Sequence, residues 1–139
     1  MGRTGSVLVN SYKQGSDWAD YVPVISNFGT TTLGFAKWKQ VGDSIFVRFS
    51  FTTGTGTASI GTLSVPASIS IDATNSEVGR SASSDTTNFD LITWANGAGT
   101  VSFVNAGAAV NTLLNGSSFA SGKVIYGSFH ARVPAWATT

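Results

Sequence analysis

The chain has no cysteine, one histidine and only three prolines among its 139 residues, and charged side chains make up just 11% of it. The missing cysteine excludes disulfides, thiol nucleophiles and thiolate metal centres. With His130 as the single histidine, the usual zinc sets of Cys and His are excluded as well. No apolar run approaches the ~18–20 residues that cross a bilayer as a helix. Residues 1–15 lack the apolar centre of an export signal. The expectation is a protein that neither inserts into a membrane nor leaves the cell by the usual route.

Charge is scarce against the about 25% of an ordinary soluble domain. The net charge is +1, and the cations Arg3, Lys13, Lys37, Lys39, Arg48, Arg80, Lys123 and Arg132 form no run. A nucleic-acid partner is therefore not expected. Serine and threonine, roughly a quarter of the chain, take the place of charge. A surface so weakly charged favours association. Burial against further copies or a larger assembly is the simplest remedy.

What the sequence does have is a period of two. In residues 44–53, Ile45, Val47, Phe49 and Phe51 fall on one face; Phe46, Arg48, Ser50 and Thr52 fall on the other. Gly42 and Asp43 supply a turn from a preceding strand over 33–41. Further strands are predicted over 21–28, 60–65, 69–73, 77–83, 89–95, 100–105 and 123–133. Asn96-Gly97 marks a hairpin, and residues 54–57 and 115–118 are loops. Residues 106–114 are the one helical candidate, and their glycine and β-branched content argues against it. About nine short strands make an all-β sandwich or barrel. The strands at 44–53 and 123–133 carry apolar groups on both faces. A sandwich strand of a lone subunit has one wet face, so a second copy is expected to cover the other. Residues 1–16 read as an arm, with only Val7, Leu8 and Val9 able to grip a partner.

Catalytic chemistry finds little support. A Ser-His-Asp triad needs His130 as base, and nothing selects Asp85 or Asp90 to orient it. Seven carboxylates always offer some pair for glycoside hydrolysis, but a small chain has little room for a cleft. The calcium-loop spacing is absent. Gly122-Lys123 lacks the Ser or Thr that a phosphate-binding loop needs next, because Val124 stands there. No catalytic residue, metal or cofactor is expected. Trp38 and Trp94 lie in strands and suit a core or a subunit interface; Trp18 and Trp136 flank the domain and are candidates to pack on each other.

Trp18-x-x-Tyr21-x-Pro23 is followed by Trp38-x-x-x-Gly42-Asp43, the alternating strand from Ile45 to Phe51, Leu63-x-Val65-Pro66 and Val133-Pro134-Ala135-Trp136. This succession resembles the trimeric jelly-roll domains of phage virion proteins, similar in fold to the tumour necrosis factor and complement globular-head family. The resemblance covers about residues 17–136 and is weakest over 69–88. It implies that 17–139 is a two-sheet jelly-roll sandwich and that three copies associate with one sheet face toward the axis. It brings no catalytic motif. The function expected is a capsid decoration or cement protein of a bacteriophage, assembled in the host cytoplasm and located in the virion. The arm residues Val7, Leu8, Val9 and Tyr12 would then meet the major capsid protein, and Phe46, Tyr126 and His130 would form the trimer interface. The alternative is the receptor-binding knob of a tail or head fibre, with loops 54–59, 82–88 and 106–118 reading a host glycan or protein.

Overall fold

The alternating segments pair with one another as a period of two requires. The computed structural model describes residues 17–74 and 76–137. Nine strands form: β1 (Ala19–Asp20), β2 (Ile25–Ser26), β3 (Thr32–Val41), β4 (Ser44–Thr52), β5 (Thr62–Ser64), β6 (Glu77–Ser83), β7 (Asp90–Ala95), β8 (Thr100–Asn105) and β9 (Val124–Arg132). Gly42, at φ 61°, takes the left-handed conformation that lets β3 reverse into β4 with Val41 opposite Ser44. The expected hairpin at Asn96-Gly97 joins β7 to β8, with Gly97 at φ 95°. Every pairing is antiparallel, and the strands form one sheet in the order β1-β3-β4-β9-β6-β7-β8-β5-β2. No α-helix occurs among the described residues.

The sheet curls upon itself. Phe49 of β4 and Phe103 of β8 lie four places apart in the strand order, yet their ring centroids are 5.9 Å apart. The cause is the apolar inner face. Ile45, Val47, Phe49 and Phe51 of β4, Ile125 and Phe129 of β9, and Val101 and Phe103 of β8 are all buried. Phe28, between β2 and β3, fills the interior with its ring 5.2 Å from Phe51, 6.1 Å from Phe103 and 5.9 Å from Phe119. Each such burial contributes about 1.5–3 kcal/mol.

One stretch of chain serves both edges of the curled sheet. β1 pairs with β3, and β2, only a few residues later, pairs with β5 at the opposite edge. Tyr21 fastens the crossing: its N–H donates to the Ala36 carbonyl at 3.0 Å and its hydroxyl to the Ser64 carbonyl at 2.9 Å. Burial pushes the Tyr21 phenol upward from its ordinary value and keeps it protonated. Of the strand expected over 21–28, only Ile25–Ser26 forms. Pro23 offers no N–H, and the chain must bend from one edge to the other.

Two further expectations are corrected. Residues 69–73 form no strand. Ile71 donates to the Ala98 carbonyl and Asp72 to the Arg132 carbonyl, so successive residues bond to different neighbours and no ladder forms. Trp136 does not meet Trp18. It stacks on Trp38 with centroids 6.5 Å apart. Trp38 faces inward beside Val47, whereas Trp18 lies with Lys39 on the opposite side of the sheet.

The glycine-rich loops pack backbone to backbone. Gly54 donates to the Phe28 carbonyl, Thr57 to Asn27, and Ser117 to Thr57. A Cβ on Gly116 would strike the Asn27 carbonyl.

Candidate functional site

The outer face of the sheet follows from the same alternation that fills the core. Register places its side chains in rows. Lys39, Phe46 and His130 form one row across β3, β4 and β9. Lys37, Arg48, Ser128 and Arg80 form the next, reaching β6. Phe35, Ser50, Tyr126, Ala82 and Asp90 form the third, reaching β7. The residues expected at a trimer interface, Phe46, Tyr126 and His130, thus share this face. Phe46 and His130 touch edge to face at 4.4 Å, and Tyr126 is 49% exposed.

Arg48 stands at the centre. Its guanidinium carbon is 5.9 Å from the Trp18 ring centroid and 6.0 Å from that of Phe35. The Lys39 ammonium lies 4.8 Å from the Trp18 ring. These are cation–π distances. Arg48 and Ser128 border two shallow depressions. One, of about 280 Å³, is lined by Trp18, Phe46, Val78 and His130. The other, of about 460 Å³, is lined by Phe35, Ser50 and Tyr126. Among the described residues, three ion pairs form: Lys37 with Asp20 at 2.8 Å, and Arg132 with Asp43 at 3.2 Å and Asp72 at 3.9 Å. Lys39, Arg48 and Arg80 belong to none of them.

The carboxylates have local duties. Asp85 is only 6% exposed. It accepts the Ala120 N–H at 2.9 Å, the Thr87 N–H at 2.8 Å and the Asn88 N–H at 3.4 Å. The Ala120 bond, then that of Thr87, holds its carboxyl below the usual range despite desolvation. It ties loop 84–89 to loop 119–123. The Thr74 N–H, at 2.9 Å, holds Asp72 low in the same way, with a smaller pull from Arg132. Among the described residues, no hydrogen bond joins His130 to a carboxylate or a serine hydroxyl, and no cluster of three His, Asp or Glu side chains has metal-site geometry. No helix among them is long and apolar enough to cross a membrane.

Val7, Leu8, Val9 and Tyr12 lie outside the described residues. Trp18 and Phe35 were not read from the sequence as part of the outer face. Phe35 is in phase with Lys37 and Lys39, but an irregularity in register between Leu33 and Phe35 breaks the alternation at the strand's start. Asp85 was missed as a loop staple. Its Asp-Thr-Thr-Asn context, a run of turn formers, is the signal for it. No protein-family model, curated protein or solved structure matches the chain.

Proposed function

We propose that this chain is a structural subunit of a bacteriophage particle: a jelly-roll sandwich that associates as a homotrimer through the outer face of β3, β4, β9 and β6, and decorates and stabilises the capsid. The observation that carries the reading is that Trp18, Phe35, Phe46 and Tyr126 lie on that face while the inner face already holds a filled core. Aromatic groups gathered on a second face contribute nothing to the subunit's own interior. They are the residue types enriched at protein interfaces. A low-charge surface serves a protein whose working state is an assembly. The virion setting rests on the resemblance in the order and spacing of Trp18, Tyr21, Trp38, Gly42, Asp43 and the closing Val133-Pro134-Ala135-Trp136. A decoration protein stabilises a shell by binding its assembled form, through mass action.

The test has two parts. Solution mass at micromolar concentration reports three copies if the trimer reading holds. Removal of residues 2–15 then leaves a trimer that no longer attaches to particles, because Val7, Leu8, Val9 and Tyr12 are proposed to contact the major capsid protein. Undiminished attachment of the shortened chain defeats the decoration reading. The fibre-knob alternative draws on the loops, where Phe89 is 62% exposed and Val110 68% exposed. Saturable binding of the isolated protein to host cells or to a glycan array favours that alternative.

A further inference from the structure

Away from the axis itself, three-fold symmetry does not join a surface patch to its own copy. It joins two different patches, one from each neighbouring copy. The outer sheet face offers two. β3 and β4 turn Lys37, Lys39 and Arg48 outward and contain no carboxylate. Lys37 is taken up by Asp20, which leaves Lys39 and Arg48. Across β9, the strands β6 and β7 turn Glu77, Arg80 and Asp90 outward. The first patch is cationic, and the second, with two carboxylates against the single guanidinium of Arg80, is anionic on balance.

The remaining carboxylates narrow the choice. Asp43 and Asp72 hold Arg132, Asp20 holds Lys37, and Asp85 is satisfied by backbone N–H groups. Asp17 precedes β1, the strand that pairs with the cationic β3. Glu77 and Asp90 are left, both exposed and without an ion-pair partner among the described residues. Asp90 ends the row of Phe35, Ser50, Tyr126 and Ala82. Ser50 and Ala82 are small and leave room on either side of the exposed Tyr126 ring for side chains of a facing copy. We infer that the β3–β4 patch of one copy seats on the β6–β7 patch of the next, with Arg48 of one subunit facing Asp90 of its neighbour. Trp18 and Phe35, flanking Arg48 at 5.9 and 6.0 Å, hold the guanidinium for that contact. A buried Arg48 with no facing carboxylate would be an uncompensated charge, which interfaces avoid.

The pairing rests on the trimer reading above, and charge reversal separates the two. Light scattering on size-exclusion fractions at micromolar concentration and ~0.15 M salt is applied to the wild type, Arg48→Asp, Asp90→Arg and the double variant. The wild type is expected at three copies. Each single reversal places like charges opposite one another and raises the dissociation constant at least about tenfold. The double variant restores opposite charges and recovers the trimer. Circular dichroism confirms folding, and Asp90→Arg alone reads the contact should Arg48→Asp not fold. Single variants that associate as tightly as the wild type overturn the pairing, as does a folded double variant that stays dissociated. A single-copy wild type instead defeats the trimer reading itself.

Discussion

The ring of Phe46 meets the imidazole of His130 edge to face across the β4–β9 pairing, with centroids 4.4 Å apart. Both side chains point away from the core, since Ile45, Val47 and Phe129 beside them point inward and are buried. The contact is a cross-strand pair of the kind that contributes roughly 0.2–1 kcal/mol within a sheet. The pair therefore adds little to the stability of the subunit itself.

Substitution on this face should therefore separate assembly from folding. Phe46→Ser and Tyr126→Ser remove apolar surface that the subunit does not need for its interior. The thermal midpoint of the dissociated subunit is expected to fall by only a few degrees, as about 1 kcal/mol shifts a domain of this size by ~2–8 °C. Self-association, followed by sedimentation, is expected to be lost. A Phe46→Ser, Tyr126→Ser chain that sediments like the wild type would remove the outer face from consideration as an interface.

Gly116 tests the backbone packing at the glycine-rich end. Any side chain there meets the Asn27 carbonyl, which is itself fixed by the Thr57 N–H. Gly116→Ala is expected to cost about 3 kcal/mol or more, at the severe end for single substitutions. Gly99→Ala is the control, because open space surrounds Gly99 and the change should stay within about 0.5 kcal/mol. Urea unfolding of the two variants gives the comparison directly. Equal midpoints would mean that the loops yield where the structure has them locked.

Tyr21 closes the seam between the sheet edges. Tyr21→Phe keeps the ring and removes the bond from its hydroxyl to the Ser64 carbonyl. The expected loss is about 0.5–1.5 kcal/mol, the net worth of one hydrogen bond. Hydrogen exchange should quicken first at Ser64, whose N–H is bonded to the Val24 carbonyl within the same seam. Uniform quickening over the whole sheet would assign the hydroxyl a global role instead.

Much of the fold was legible because alternation is a local property. Ile45, Val47, Phe49 and Phe51 announce a buried face without reference to any other strand, and Gly42 and Asn96-Gly97 announce their turns. The curl is not local. It depends on Phe49 meeting Phe103 across the strands between them and on Tyr21 reaching Ser64, contacts that no window of sequence contains. The split of β1 from β2 and the coil at 69–73 have the same origin, since each is dictated by which edge the chain must reach. On the outer face, Phe46, Tyr126 and His130 were legible as out-of-phase apolar or aromatic residues. The flanking of Arg48 by Trp18 and Phe35 was not, because it joins β4 to two other stretches of chain. Asp85 was hidden for a related reason: its principal donor, Ala120, lies far along the sequence.

Asp85 makes the stability of this end dependent on pH, with a definite sign. Its carboxylate accepts the N–H groups of Ala120, Thr87 and Asn88, which hold its folded value below the ordinary one. A carboxyl lowered on folding adds stability above its unfolded value of about 3.9. That stability is lost as the pH falls from there through the folded value, because the unfolded chain then binds the proton more readily. The Asp85 contribution should be level from neutral pH to about pH 5 and decline below about pH 4. In Asp85→Asn the side chain carries no titratable group, and its amide directs at least one donor toward N–H groups that need an acceptor. The variant should be weaker at neutral pH and lose less on acidification. Urea midpoints at pH 7, 5, 4 and 3 measure both effects (values chosen to bracket the roughly 3.9 of a free aspartate). An Asp85→Asn curve parallel to the wild type across that range would show that the loop staple is not what acid releases.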